Sequence, residues 1–105
     1  REFILTEGAI TRTGANNTGD YRIAVKVEDT LLAPSVVPTV VCVAYNGTSP
    51  VSVMRICVDV ENTIQPVFEF AEGLKITSAK IYVFNELFGD VNSSPSVLAE
   101  TLEIK

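Results

Sequence analysis

The sequence predicts an all-β fold, a seven-stranded antiparallel β-sandwich. Three observations predict it. No stretch shows helical spacing of its apolar residues. Short alternating runs recur instead, separated by turn residues roughly every 8–12 positions. The composition leans on Val and Thr, whose branched side chains suit pleated, half-buried strands.

The elements follow in order. Glu2–Thr13 reads as the first strand, interrupted at Gly8. Ala15-Asn16-Asn17-Thr18-Gly19-Asp20 is a turn. Tyr21–Glu28 alternates cleanly, with Tyr21, Ile23, Val25 and Val27 toward the core and Arg22, Lys26 and Glu28 toward water. Leu31–Pro38 is apolar but holds Pro34 and Pro38, which cannot donate to a ladder, so it reads as an edge segment or a sheet-switching connection. Thr39–Asn46 is nearly all apolar, as a central strand is. After the Asn46–Pro50 loop, Val51–Glu61 carries Met54, Ile56, Val58 and Val60 on one face. Gln65–Ala71 places Phe68 and Phe70 together, and Glu72-Gly73 turns the chain. Lys75–Asn85 is a further strand, Asn92–Pro95 a loop, and Val97–Ile104 the last strand. Seven strands is a natural number for an immunoglobulin-like or fibronectin-III-like sandwich.

At 105 residues the chain is expected to be a single domain, 1–105, large enough for a hydrophobic core of its own. The net charge of −5 disfavours phosphate backbones and anionic lipid, so no nucleic-acid partner is expected. No apolar run approaches the roughly 20 residues of a membrane span, so no membrane insertion is expected either. With no start methionine and no signal-peptide pattern, the sequence reads as an excised module or a processed segment. There is no histidine, which removes the commonest general base and the commonest transition-metal ligand. The absence of tryptophan weakens a sugar-stacking platform.

Cys42 and Cys57 fall on consecutive strands joined by a short loop. If Val41, Val43 and Tyr45 share a face with Met54, Ile56 and Val58, then Cys42 lies on the side of Arg55 and Cys57. One register then sets the two cysteines opposite each other, at a separation compatible with a disulfide. A two-residue slip satisfies the faces equally and parts the thiols. The simpler reading is two reduced, half-buried cysteines acting as small hydrophobes. Two cysteines without histidine do not make a structural zinc site, and no metal or cofactor is expected.

Carboxylates group at Glu28-Asp29, Asp59 with Glu61, and Glu69 with Glu72. Such groups could bind calcium or act as a glycosidase pair, but a solvated strand face is the simpler account. Asn16-Asn17-Thr18, Asn46-Gly47-Thr48 and Asn92-Ser93-Ser94 fit the glycosylation sequon, within turns where these residues are common anyway. Tyr21, Tyr45 and Tyr82 are the candidate binding residues: each could stack on a sugar ring, or could sit in the core with its hydroxyl at the rim. No phosphate loop, nucleophile elbow or zinc-protease motif occurs, so the chain is not expected to be an enzyme.

One ordered set of segments goes beyond composition. Val41-Cys42-Val43-Ala44-Tyr45-Asn46-Gly47 is followed by Phe68–Phe70 and by Gly73-Leu74-Lys75. Next come Ala79-Lys80-Ile81-Tyr82-Val83-Phe84-Asn85-Glu86-Leu87 and, last, Pro95 with Leu98-Ala99-Glu100. This order resembles the small immunoglobulin-like or fibronectin-III-like modules of secreted and cell-surface proteins of Gram-positive, mainly clostridial, bacteria. Those modules read Ala-Leu-Tyr-Asp-x-x-Gly at a hairpin, then Val-Lys-x-Phe-x-Trp-Asp-x-Leu along a strand, and end in Lys-Pro-Leu. The likeness spans roughly residues 39–105. Here Phe84 stands where Trp is usual, Asn85 stands where Asp is usual, and extra residues precede Pro95. The resemblance implies a non-catalytic structural or accessory module, a spacer or adhesion domain, located outside the cell or at its surface. Its partners would be neighbouring domains or other subunits. Two alternatives stand beside it: a carbohydrate-binding module, with polysaccharide as partner, and a filament or virion subunit assembled by strand addition through residues 1–13.

Overall fold

The computed structural model describes residues 3–30, 38–57, 63–84 and 97–105. The described strands are β1 (Phe3–Arg12), β2 (Tyr21–Asp29), β3 (Thr39–Asn46), β4 (Ser49–Cys57), β5 (Thr63–Ile64), β6 (Val67–Phe70), β7 (Ser78–Phe84) and β8 (Leu102–Ile104). They form two antiparallel sheets. In the first, β2 pairs with β1 on one side and with β5 and β6 on the other. In the second the order is β4-β3-β7-β8. The predicted Leu31–Pro38 segment lies largely outside the described residues, as do Val58, Val60, the carboxylates Asp59 and Glu61, and the Asn92–Pro95 loop.

The alternation in Tyr21–Val27 forms the inner face of β2 as expected: Tyr21, Ile23, Val25 and Val27 are all buried. Across from them lie Val40, Cys42 and Ala44 of β3 with Ala79, Ile81 and Val83 of β7. Phe68 and Phe70 of β6 close one flank, and Phe3 and Leu5 of β1 the other. Each fully buried side chain of this size stabilises the fold by about 1.5–3 kcal/mol relative to exposure.

β5 and β6 follow one register against β2. Ile64 opposes Val27, and Val67 opposes Ala24. The pieces are separated at Gln65-Pro66, where proline has no N–H to give the ladder. Pro66 still accepts a bond from the Val25 N–H through its carbonyl (3.3 Å).

The expected interruption at Gly8 is a bulge. Thr6 pairs with Lys26 and Ala9 with Ala24, so Glu7 and Gly8 together oppose Val25. Glu7 takes a φ of 52° there. The bulge brings β1 against β8 of the other sheet: a β-carbon on Gly8 would lie 2.6 Å from Ile104 Cγ1 and 2.9 Å from Leu102 Cδ2. At the other end of β1, the Phe3 N–H donates to the Leu98 carbonyl (3.0 Å). β1 thus closes one side of the sandwich, running alongside the 98–104 segment in the same direction.

The Asn46–Ser49 hairpin is tighter than the predicted loop. Asn46 pairs with Ser49, leaving Gly47 and Thr48 as a two-residue connection. Gly47 supplies φ 62°, which the first position of a type II′ turn requires. The Gly47 N–H donates to Thr77 Oγ1 (2.8 Å), and the Thr77 N–H to the Tyr45 carbonyl (2.8 Å), tying this turn to the approach of β7.

The β1–β2 connection is anchored to a single 3-10 turn, Glu72–Leu74. The Gly19 N–H donates to Glu72 Oε2 (2.8 Å), and the Glu72 N–H to Asp20 Oδ1 (3.1 Å). Arg12 donates to the Gly19 carbonyl through Nε (3.1 Å) and Nη2 (2.9 Å) while its guanidinium lies 3.9 Å from the centre of the Tyr21 ring. The glycosylation-like Asn16 and the adjacent Asn17 both adopt positive φ in this connection, a conformation asparagine tolerates well.

Candidate functional site: the outer face of the second sheet

Of the three candidate tyrosines, the fold separates one and gathers two. Tyr21 is in the core, 7 % exposed, its ring covered by Arg12. Tyr45 and Tyr82 stand on the outer, solvent side of the second sheet. The reason is strand parity: Val40, Cys42 and Ala44 turn inward, so Thr39, Val41, Val43 and Tyr45 turn outward.

Cross-strand register builds the rest of this face. Val41 is flanked by Arg55 of β4 and Tyr82 of β7. Val43 is flanked by Val53 and Lys80, and Lys80 in turn faces Glu103 of β8. Thr39 lies between Cys57 and Phe84. The Tyr82 and Phe84 rings stack, with centroids 5.9 Å apart and planes inclined by 17°. Lys80 Nζ sits 5.4 Å from the centre of the Tyr45 ring, a cation held against an aromatic face. The Tyr82 phenol is raised above its ordinary value, first by burial and then by the neighbouring Tyr45 phenol. Three aromatic rings and one lysine therefore occupy one sheet surface. Lys80 and Phe84 were not singled out as binding residues, although their spacing from Tyr82 by two residues in each direction places them on its face.

The cysteines do not take the arrangement a disulfide needs. Cys42 pairs with Met54 and Cys57 with Thr39, neither of the two registers open to the sequence reading. The assumed face pairing is reversed: Cys42 shares the inner side with Met54 and Ile56, while Val41 shares the outer side with Arg55. Both thiols are free, and they are unlike rather than both half-buried: Cys42 is fully buried and Cys57 exposed. Burial pushes the Cys42 thiol up to about 12, so it is held as the unreactive thiol.

Glu69 and Glu72 serve the scaffold. Glu69 pairs with Arg22 (3.2 Å) across β6 and β2, and Glu72 holds Gly19 and Arg12. Among the described residues no three cysteine or acidic side chains gather closely enough to hold a metal ion. A hollow of about 330 Å³ lies at the start of β1, lined by Phe3, Ile4, Leu5, Thr30 and Glu100, apart from the tyrosine face. The chemistry offered by the outer face is reversible contact through ring faces, hydroxyls and a cation. No protein-family model matches the chain, and no curated protein or solved structure matches it significantly.

Proposed function

We propose that the chain is a non-catalytic structural or accessory module of an extracellular or cell-surface protein, built on a seven-stranded fibronectin-III-like sandwich. The shared register of β5 and β6 supports the count, since it makes them two pieces of one strand position. The connectivity supports the type. The chain passes from the first sheet to the second between β2 and β3, returns between β4 and β5, and crosses again between β6 and β7. Such sheet-switching is the Greek-key connection of immunoglobulin-like sandwiches.

The observation that carries the spacer reading is the relation of β1 to the 98–104 segment. Phe3 meets Leu98, and Gly8 meets Ile104, so the two run side by side in the same direction. The first strand therefore enters at one end of the sandwich and the last leaves toward the other. At about 3.3 Å per residue, the rise along β1 from Phe3 to Gly8, where Ile104 lies, is roughly 16 Å. A module of this kind holds flanking domains apart and transmits tension along its edge strands.

Joining a folded reporter domain to each end tests this. Small-angle scattering should show the reporters set off in opposite directions along the axis of β1, with their centres farther apart than two reporters in side-by-side contact. Reporters lying side by side, or turnover of a substrate by the isolated chain, would overturn the reading. Strand donation through residues 1–13 has less support, because Phe3–Arg12 already pairs with β2 of its own chain through eight residue pairs.

A further inference from the structure

We infer that Asn46-Gly47 is a site of spontaneous covalent modification, in which the Asn46 side chain loses its amide through a succinimide ring, and that the Thr77 hydroxyl restrains this reaction. The inference stands apart from the spacer reading, since the reaction needs only this hairpin and water.

The residues favour the reaction at one place. Of the six glycines, only Gly47 follows an asparagine. Ring closure is attack by the next residue's backbone nitrogen on the asparagine side-chain carbonyl, and glycine, with no side chain, obstructs it least. The fold leaves the place open to water: Asn46, Gly47, Thr48 and Ser49 are all exposed at the tip of the β3–β4 hairpin. The Gly47 nitrogen gives its proton to a base in solution and bonds to Asn46 Cγ. The bond from Cγ to the side-chain nitrogen breaks, and that nitrogen leaves as ammonia. Water then opens the ring. Attack at Cγ gives aspartate, and attack at the main-chain carbonyl gives isoaspartate. Either product carries one more negative charge than asparagine, and no oxidant or reductant enters.

The fold also holds the attacking nitrogen. The Gly47 N–H donates to Thr77 Oγ1 (2.8 Å). Thr77 is fixed in turn: its N–H donates to the Tyr45 carbonyl (2.8 Å), and so does its hydroxyl (3.3 Å). Attack requires the Gly47 proton to leave and the nitrogen to turn toward the Asn46 side chain, so the bond to Thr77 must break first. Its loss adds to the barrier. The Asn46–Ser49 pairing and the Gly47 φ of 62° fix the backbone on either side. Isoaspartate places an extra backbone carbon in this tight connection. The Asn46–Ser49 pair and the tie to Thr77 are then lost, while Ala44, fully buried two residues back, stays in the core.

The test is incubation of the folded chain in mildly alkaline buffer, with peptide mapping by mass spectrometry to follow the loss of the amide at Asn46. A synthetic peptide of residues 43–50 gives the unrestrained rate. The folded chain is expected to react more slowly than the peptide by about tenfold or more, and Thr77→Val to speed the folded chain by about three- to tenfold, the factor one hydrogen bond is worth. Thr77→Ser keeps the hydroxyl and should match the wild-type rate. Thr77 is exposed, so neither variant opens the core, and far-UV circular dichroism checks the fold. If Thr77→Val unfolds, Thr77→Ser against the peptide and hydrogen exchange of the Gly47 amide, slower in the chain than in the peptide, carry the comparison. Four results would overturn the inference: a folded chain that reacts as fast as the peptide; Thr77→Val as slow as wild type; Thr77→Ser as fast as Thr77→Val; and a Thr77→Val chain in which Asn46 keeps its amide. Spacing of the reporter domains is read separately, so either result can fail without the other.

Discussion

Gly8 and Ile104 approach so closely that a β-carbon on the glycine would stand 2.6 Å from Cγ1 of the isoleucine. Gly8 belongs to the first sheet and Ile104 to the second, so this contact is where β1 closes the sandwich over β8. Ile104 is itself buried and has little room to yield. Gly8→Val is therefore expected to destabilise the domain by about 1–3 kcal/mol through overpacking. Gly73, with nothing within 4 Å of an added β-carbon, is the control. Gly73→Ala should change stability by less than about 0.5 kcal/mol. Urea unfolding of both variants checks the pair, and equal midpoints would show that the β1–β8 seam is loose.

The two thiols should behave as different species. Cys57 is exposed and Cys42 fully buried. Brief alkylation of the native chain is expected to add one label, at Cys57, and alkylation in denaturant two, counted by mass spectrometry. The buried thiol also gives a pH dependence. Its ionisation is pushed from an ordinary 9.0 up to about 12 by burial, so folding holds the neutral form. The unfolded chain ionises first. The Cys42 contribution to stability is complete below about pH 9 and is lost as pH rises toward about 12. Cys42→Ala should flatten that part of the stability profile while lowering stability at neutral pH.

Met54 and Ile81 both point to the inner side, yet their substitutions should cost different amounts. Met54 of β4 opposes Cys42 of β3 and is 41 % exposed, on the outermost strand of its sheet. Ile81 sits in the middle of β7 and is fully buried. Ile81→Ala is expected to cost about 2–5 kcal/mol, and Met54→Ala under about 1 kcal/mol. Thermal unfolding of the two variants would show it; comparable losses would mean that the core extends under β4.

The Tyr82 phenol should respond to the loss of its neighbour's hydroxyl. Burial and the neighbouring Tyr45 phenol both raise Tyr82, so removing the Tyr45 hydroxyl removes the second cause. Tyr45→Phe is expected to move the Tyr82 ionisation downward, toward the ordinary phenol value, in an ultraviolet absorbance titration. An unmoved transition would separate the two side chains.

Some of this structure was legible in the residues taken alone. The alternation of Tyr21, Ile23, Val25 and Val27 left only one side to bury, and β2 buries it. Phe68 and Phe70 fell on the core side for the same reason. Gly8 marked the break in the first strand, and Asn46-Gly47 marked a turn. These are local signals: side-chain period and backbone freedom act within a few residues.

What tertiary structure decided is the parity of β3 and everything attached to it. Thr39–Tyr45 is apolar on both sides, so its period carries no direction. Pairing with β4 and β7 and packing on β2 turned Val40, Cys42 and Ala44 inward. That choice buried one cysteine, parted it from the other, and moved Tyr45 out beside Tyr82 and Lys80. A one-residue change of register exchanges the two faces of a strand. The composition of a strand that is apolar throughout cannot forbid that exchange; the free energy of filling one shared core does.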